Sequence, residues 1–182
     1  MLKKVFILSL FIAIATTQNS FALRDMRITS DDIDNGKNIS EEFVYSGFGC
    51  KGKNLSPSLE FVNVPSDAKS LALTVYDPDA PTGSGWWHWV VYDIDPNTTK
   101  VERGSSKIGA NSVVARNDFG EYKYGGPCPP KGSNHRYIFT LYALSVEKLP
   151  VPRDASAALI GYNLNANAIK KISIIPRYNR KK

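Results

Sequence analysis

The chain has 182 residues, 42% of them hydrophobic and 22% charged, with 13 glycines and 11 prolines. That balance belongs to an ordinary globular protein and excludes a disordered, collagen-like or membrane-embedded chain. The net charge of +6 is spread over 23 basic and 17 acidic residues without forming a basic stripe, which argues against a nucleic-acid partner.

The N-terminus differs in kind from the rest. Lys3 and Lys4 make a short positive region, Val5 to Ala15 an apolar run of about eleven residues, and Ser20-Phe21-Ala22 a small-x-small site, the layout of a cleaved secretory signal. Such a run is too short to cross a bilayer, which takes about 20 apolar residues. Residues 1–22 are therefore expected to leave, with cleavage after Ala22, and Leu23 to Lys182 to form a single domain with its own core. Lys3 and Lys4 leave with the leader, so the charge falls from +6 to +4. Arg180, Lys181 and Lys182 crowd the C-terminus, and the surplus reads as solubility rather than as a ligand code.

Short β-rich runs separated by turn residues dominate the remainder. In chain order, weaker strands are expected at Met26–Thr29, Glu41–Tyr45 and Ser58–Val62, strong ones at Ser70–Asp77 and Trp87–Ile94, a weak one at Val113–Arg116, and a strong one at Tyr137–Leu144. The strong runs are apolar on both faces, as central strands covered on each side must be. From Asp154 to Ile169 the period changes: Ala155, Ala158, Leu159, Tyr162, Ala166 and Ile169 recur at spacings of three and four, which predicts a helix with Asp154 as its N-cap. Asn163, Asn165 and Asn167 predict a break or frayed turn in its second half. A weak strand at Ile172–Ile175 follows. The whole predicts a mainly β fold, an antiparallel β-sandwich or barrel with a small C-terminal helical element.

The mature chain has two cysteines, Cys50 and Cys128. An even count in an exported chain favours a disulfide, worth about 4 kcal/mol in the chain-entropy model. No C-x-x-C spacing supports a metal site built on them.

Candidate chemistry gathers at strand ends. Strand alternation sets Asp77 at the end of the apolar row Leu71, Leu73, Val75, sets His88 with Trp86 and Val90, and sets His135 with Tyr137, Phe139 and Leu141. A carboxylate closing an apolar row is expensive unless donors reach it. If these strands neighbour one another, Asp77, His88, His135 and the Tyr137 hydroxyl meet at one rim. The flanking loops are stiff: Asp77-Pro78-Asp79-Ala80-Pro81 holds two prolines and Gly125-Gly126-Pro127-Cys128-Pro129-Pro130 three, which lowers the entropy lost on binding.

These segments, with Gly83-Ser84-Gly85-Trp86-Trp87-His88-Trp89, Lys131-Gly132 and His135-Arg136-Tyr137, resemble the phosphatidylethanolamine-binding protein (PEBP) family, most closely its bacterial Raf-kinase-inhibitor-like branch. The resemblance runs from Asn54-Leu55-Ser56-Pro57 to the late helix. It implies a Greek-key β-sandwich and a small preformed pocket for phosphate-type anions such as a phosphoethanolamine headgroup. By motif match Asp77, His88, His135 and Tyr137 line that pocket, Trp86 and Pro130 wall it, and Asp79 and Pro81 hold its loop. Alternation turns Arg136 to the opposite face, where a structural ion pair is expected. Asn165 and Asn167 stand where bacterial relatives often carry histidines.

The function implied is an exported, periplasmic binding protein for a phosphate-bearing small molecule or phospholipid headgroup, with a regulatory or inhibitory role towards a partner protein. No cofactor, metal or stable membrane anchor is expected, and the chain is expected as a monomer or homodimer. The competing class is a hydrolase using His88 or His135 as base, or a metal site from Asp77, Asp79 and the two histidines. Against it stands the lack of a G-x-S-x-G elbow and of an H-E-x-x-H helix.

Overall fold

A computed structural model describes residues 25–182. The leader and its cleavage after Ala22 lie outside the described residues.

Strands β1 (Arg27–Thr29), β4 (Leu59–Val62) and β7 (Lys100–Val101) form one small antiparallel sheet. The central sheet runs β11 (Ala168–Ile174), β10 (Ile138–Leu144), β5 (Ser70–Asp77), β6 (Trp86–Ile94), β8 (Val113–Val114), antiparallel throughout. Two strand pairs complete it: β2 (Ser46–Gly47) with β3 (Cys50–Lys51), and β9 (Asn134–Arg136) with β12 (Arg177–Asn179).

The central strands are buried on both faces, and each face supports its own core. Leu71, Leu73, Val75, Trp89, Val91, Phe139 and Leu141 pack towards Ile28, Leu59 and Phe61 of the small sheet. Ala72, Val90, Tyr92 and Leu144 pack against α1 (Ala157–Asn167) through Ala157, Ile160 and Leu164. Mainly β architecture with one C-terminal helix is therefore observed, as expected. Among the described residues no helix is long and apolar enough to cross a membrane.

Several local expectations are corrected. Glu41–Tyr45 is not a strand: Glu41–Phe43 is a 3-10 turn, closed by Phe43 N–H to Ser40 carbonyl and Val44 N–H to Glu41 carbonyl. The helix starts at Ala157 with Ser156 as N-cap, not Asp154, since the Ser156 hydroxyl accepts from Leu159 N–H at 3.2 Å. Ile169 belongs to β11, where pairing with β10 takes over. The three asparagines do not break α1. Their side-chain amides donate back to the carbonyls of Leu159, Gly161 and Asn163, and the helix ends at the last of them. The buried stripe of α1 is also not the expected one: Leu159 and Tyr162 are 42% and 72% exposed.

Strand β6 carries the correction that matters most for the site. Tyr76 faces Trp87 and Val75 faces Trp89, so one step on β5 matches two on β6 and His88 is the extra residue of a β-bulge. The bulge sends Val90 to the helix side of the sheet, whereas Trp89 joins the opposite core. His88 shares its face with Trp86 but not with Val90.

Candidate functional site

Strand order sets β5 beside β6, and β9 leads directly into β10, the other neighbour of β5. The end of β5, the bulged start of β6 and β9 thus meet at one edge of the sandwich. A cavity of about 200 Å³ lies there, lined by Phe48, Asp77, Ala80, Pro81, Thr82, Trp86, His88, Phe119, Cys128, Pro129, Pro130, His135 and Tyr137. Of the eight residues that the resemblance assigns to the pocket, Asp77, Pro81, Trp86, His88, Pro130, His135 and Tyr137 belong to this wall and Asp79 does not.

Asp77 is 3% exposed and meets the cost of its burial with two donors. One oxygen is 2.8 Å from His135 Nδ1, and the other accepts the backbone N–H of Asp79 at 2.8 Å. Asp79 turns away and takes a two-pronged ion pair from Arg136, at 2.9 Å to Nε and 2.7 Å to Nη2, plus the Arg136 N–H at 2.9 Å. The Arg136 hydrogen bonds hold the Asp79 carboxyl down to a pKa of about 2. Arg136 thus makes the structural ion pair expected of it, and Asp79 fastens the Pro78–Pro81 loop to β9.

His88 is buried, and its Nδ1 lies 2.7 Å from the Gly125 carbonyl. A carbonyl only accepts, so Nδ1 carries the proton and Nε2 of the neutral ring is an acceptor. Desolvation drives the His88 pKa down from 6.5 to about 4, against the opposing pull of the Gly125 carbonyl and the Asp77 charge. Tyr137 stands edge-on to His88 with ring centroids 5.1 Å apart. Burial, aided by the Asp77 charge, pushes the Tyr137 hydroxyl well above its usual pKa, so it remains a donor. The Tyr137 hydroxyl and Trp86 Nε1 are both buried and have no hydrogen-bond partner among the described residues. Unpartnered buried donors are costly, and here both belong to side chains that line the cavity.

Phe48 and Phe119 escaped sequence reasoning. Phe119 arrives because its loop is sewn to β6: Asp118 accepts from Trp87 N–H at 2.7 Å, and the Asn117 amide donates to the His88 carbonyl at 3.2 Å. Its ring stacks on Tyr45 at 4.1 Å and meets Trp86 edge-on at 5.3 Å. The turn-forming pair Asn117-Asp118, the first buried and the second exposed, is the sequence signal for this loop. Phe48 sits at the tip of the β2–β3 hairpin, where φ of +50° at Phe48 and +77° at Gly49 make the tight turn. A disulfide joins Cys50 to Cys128, with Cα atoms 6.0 Å apart, and so ties this hairpin to the proline-rich wall.

The cavity thus brings two histidines, one carboxylate and a tyrosine hydroxyl together within a wall of aromatic and proline side chains. Among the described residues no group of three or more His, Cys, Asp or Glu is disposed to hold a metal ion. Asp79 is engaged by Arg136, which removes it from the four-ligand set considered as an alternative.

Residues 29–179 match the family model for phosphatidylethanolamine-binding protein. The chain belongs to the phosphatidylethanolamine-binding protein family. It is 48% identical over 161 residues to the UPF0098 protein YbcL of Escherichia coli, covering 85% of this chain and 88% of that protein. It is 40% identical to the UPF0098 protein YbhB of the same organism, covering 85% of this chain and all of that one. The crystal structure of E. coli YbcL superposes with a TM-score of 0.82, covering 86% of this chain and 99% of that chain. Family membership points to ligand binding, and the cavity is the place in this chain where its chemistry converges.

Proposed function

We propose that this protein binds phosphate-bearing ligands of the phosphoethanolamine type in the cavity between His88 and His135. The observation that carries this is the pair of buried, unpartnered donors, the Tyr137 hydroxyl and Trp86 Nε1, beside the buried Asp77–His135 pair. A phosphate oxygen satisfies such donors, and a hydrogen bond to an anionic oxygen is stronger than one between neutral groups. Aromatic and proline side chains form the rest of the wall, a largely apolar setting in which a few polar groups fix orientation.

Binding rather than turnover is supported by the lack of an activated nucleophile. Thr82 spends its hydroxyl on the Gly85 carbonyl, Cys128 is in a disulfide, and among the described residues no hydroxyl or thiol is hydrogen-bonded to either histidine. The protein acts as an exported, periplasmic binding module; the leader-like N-terminus and a disulfide that persists in oxidising compartments support this.

Calorimetric titration with phosphoethanolamine and with inorganic phosphate tests the proposal. Saturable one-to-one binding is expected for at least one of them, weakened about tenfold or more in Tyr137→Phe and in His135→Ala with unchanged circular dichroism. Absence of saturable binding by either ligand overturns it.

A further inference from the structure

Two segments distant in sequence form the cavity wall on one side, the β2–β3 hairpin with Phe48 at its tip and the Cys128–Pro130 loop. The disulfide is one fastener between them. A second comes from the C-terminus. Strand β12 pairs with β9, setting Tyr178 opposite His135, and the chain then runs on beside the proline loop: Gly132 N–H donates to the Arg180 carbonyl at 2.7 Å and Arg180 N–H to the Ser133 carbonyl at 3.0 Å. From there the Arg180 guanidinium reaches across the gap. Nη1 donates to the Pro129 carbonyl at 3.0 Å and approaches Cys128 Sγ at 3.4 Å, while Nη2 donates to the Phe48 carbonyl at 3.4 Å. A Cβ placed on Gly49 would lie 3.1 Å from Nη2, so the guanidinium packs closely on the hairpin tip.

We infer that Arg180 is a positioning residue for the cavity, a second clasp that holds the Phe48 hairpin against the Cys128–Pro130 wall and keeps the site formed when the Cys50–Cys128 bond is reduced. The inference rests on the phosphate-binding reading for its effect on affinity, but the clasp itself does not. Only a fork with several donors can hold both carbonyls at once, which a lysine ammonium on a flexible stem does poorly. A dithiol opens the covalent clasp by thiol–disulfide exchange: the S–S bond breaks, Cys50 and Cys128 become thiols, and the dithiol closes to its own disulfide. Loss of either fastener alone leaves the other in place, so the two act as coupled partners.

The test is a four-way comparison of the full chain, wild type and Arg180→Ala, each oxidised and dithiol-reduced, at 25 °C. Inorganic phosphate affinity is read by calorimetry, and amide hydrogen exchange is followed in residues 44–52 and 125–132. Each single loss is expected to weaken phosphate binding by less than about twofold, and both together by about tenfold or more, with a matching jump in exchange confined to those segments. Arg180→Lys should behave as Arg180→Ala under reduction, and millimolar methylguanidinium should restore the Arg180→Ala protein. Effects that simply multiply, or unchanged exchange in reduced Arg180→Ala, overturn the clasp. If oxidised wild type fails to bind phosphate, the ligand reading falls, and the exchange data still decide the clasp.

Discussion

His88 is neutral in the folded protein because burial holds its pKa at about 4, while an exposed histidine titrates near 6.5. Between those values the unfolded chain binds a proton that the native state refuses, so native stability rises with pH across this window. The contribution is complete above 6.5 and is lost as pH falls through 4, a change of about 3 kcal/mol in all. Urea unfolding at pH 7 and pH 4 should show this loss in wild type and lack it in His88→Asn; an equal loss in both would assign the pH dependence to other groups. Ligand binding has the opposite sign. An anion in the cavity favours the charged ring, so binding raises the His88 pKa and takes up protons, and affinity rises as pH falls towards 4. Calorimetry at pH 5.5 in buffers of different ionisation enthalpy should detect proton uptake that disappears in His88→Asn.

At the level of elements, β5 was legible because an unbroken apolar run between Asp and Pro has few alternatives to a central strand, and its bounds Ser70–Asp77 match. Convergence of Asp77, His88, His135 and Tyr137 was legible only on condition that their strands neighbour one another, which the pairing of β5 with β6 and with β10 meets, while β9, which carries His135, was not foreseen as a strand. The bulge at His88 was not: Trp-Trp-His-Trp offers a large side chain to both faces, and only pairing with β5 decides which residue is extra. The face of α1 was hidden similarly. Two apolar rows one residue apart have the same period, and the row chosen by the fold is Ala157, Ile160, Leu164. Leu164→Ala should therefore cost about 2–5 kcal/mol, whereas Tyr162→Ala, on the 72% exposed side, should stay within about 0.5 kcal/mol; thermal unfolding of the two variants reads the difference. The proline wall has its own test. A Cβ on Gly126 would lie 2.0 Å from the Phe43 carbonyl oxygen and 2.7 Å from Tyr45 N, both backbone atoms of the segment that this loop bonds through Tyr45 N–H to Pro127 carbonyl. Gly126→Ala should cost about 1–3 kcal/mol by overpacking and weaken phosphate binding as well, because the displaced loop carries Cys128 and Pro130.

For the molecule as a whole, the site is held by contacts between parts far apart in the chain. His135 and Asp77 are 58 residues apart, Arg136 and Asp79 57, and the bonded cysteines 78. Each link closes a large loop, at an entropic cost that arises on folding and grows only slowly with loop length. The disulfide removes that cost in advance by restricting the unfolded ensemble, which in the chain-entropy model is worth about 4 kcal/mol. Reduction should therefore separate two quantities that usually move together. Global stability should fall by about that amount, seen as a lower denaturant midpoint for the dithiol-treated chain and for the Cys50→Ser, Cys128→Ser double variant alike. The native cavity should keep its shape, since the stabilisation acts mainly on the unfolded chain and Arg180 still spans the wall. Denaturant titration and phosphate titration on the same reduced sample check both halves. A midpoint that does not move would mean that the reduced unfolded chain is already compact, and an unchanged midpoint with lost affinity would put the disulfide's role in the native wall instead.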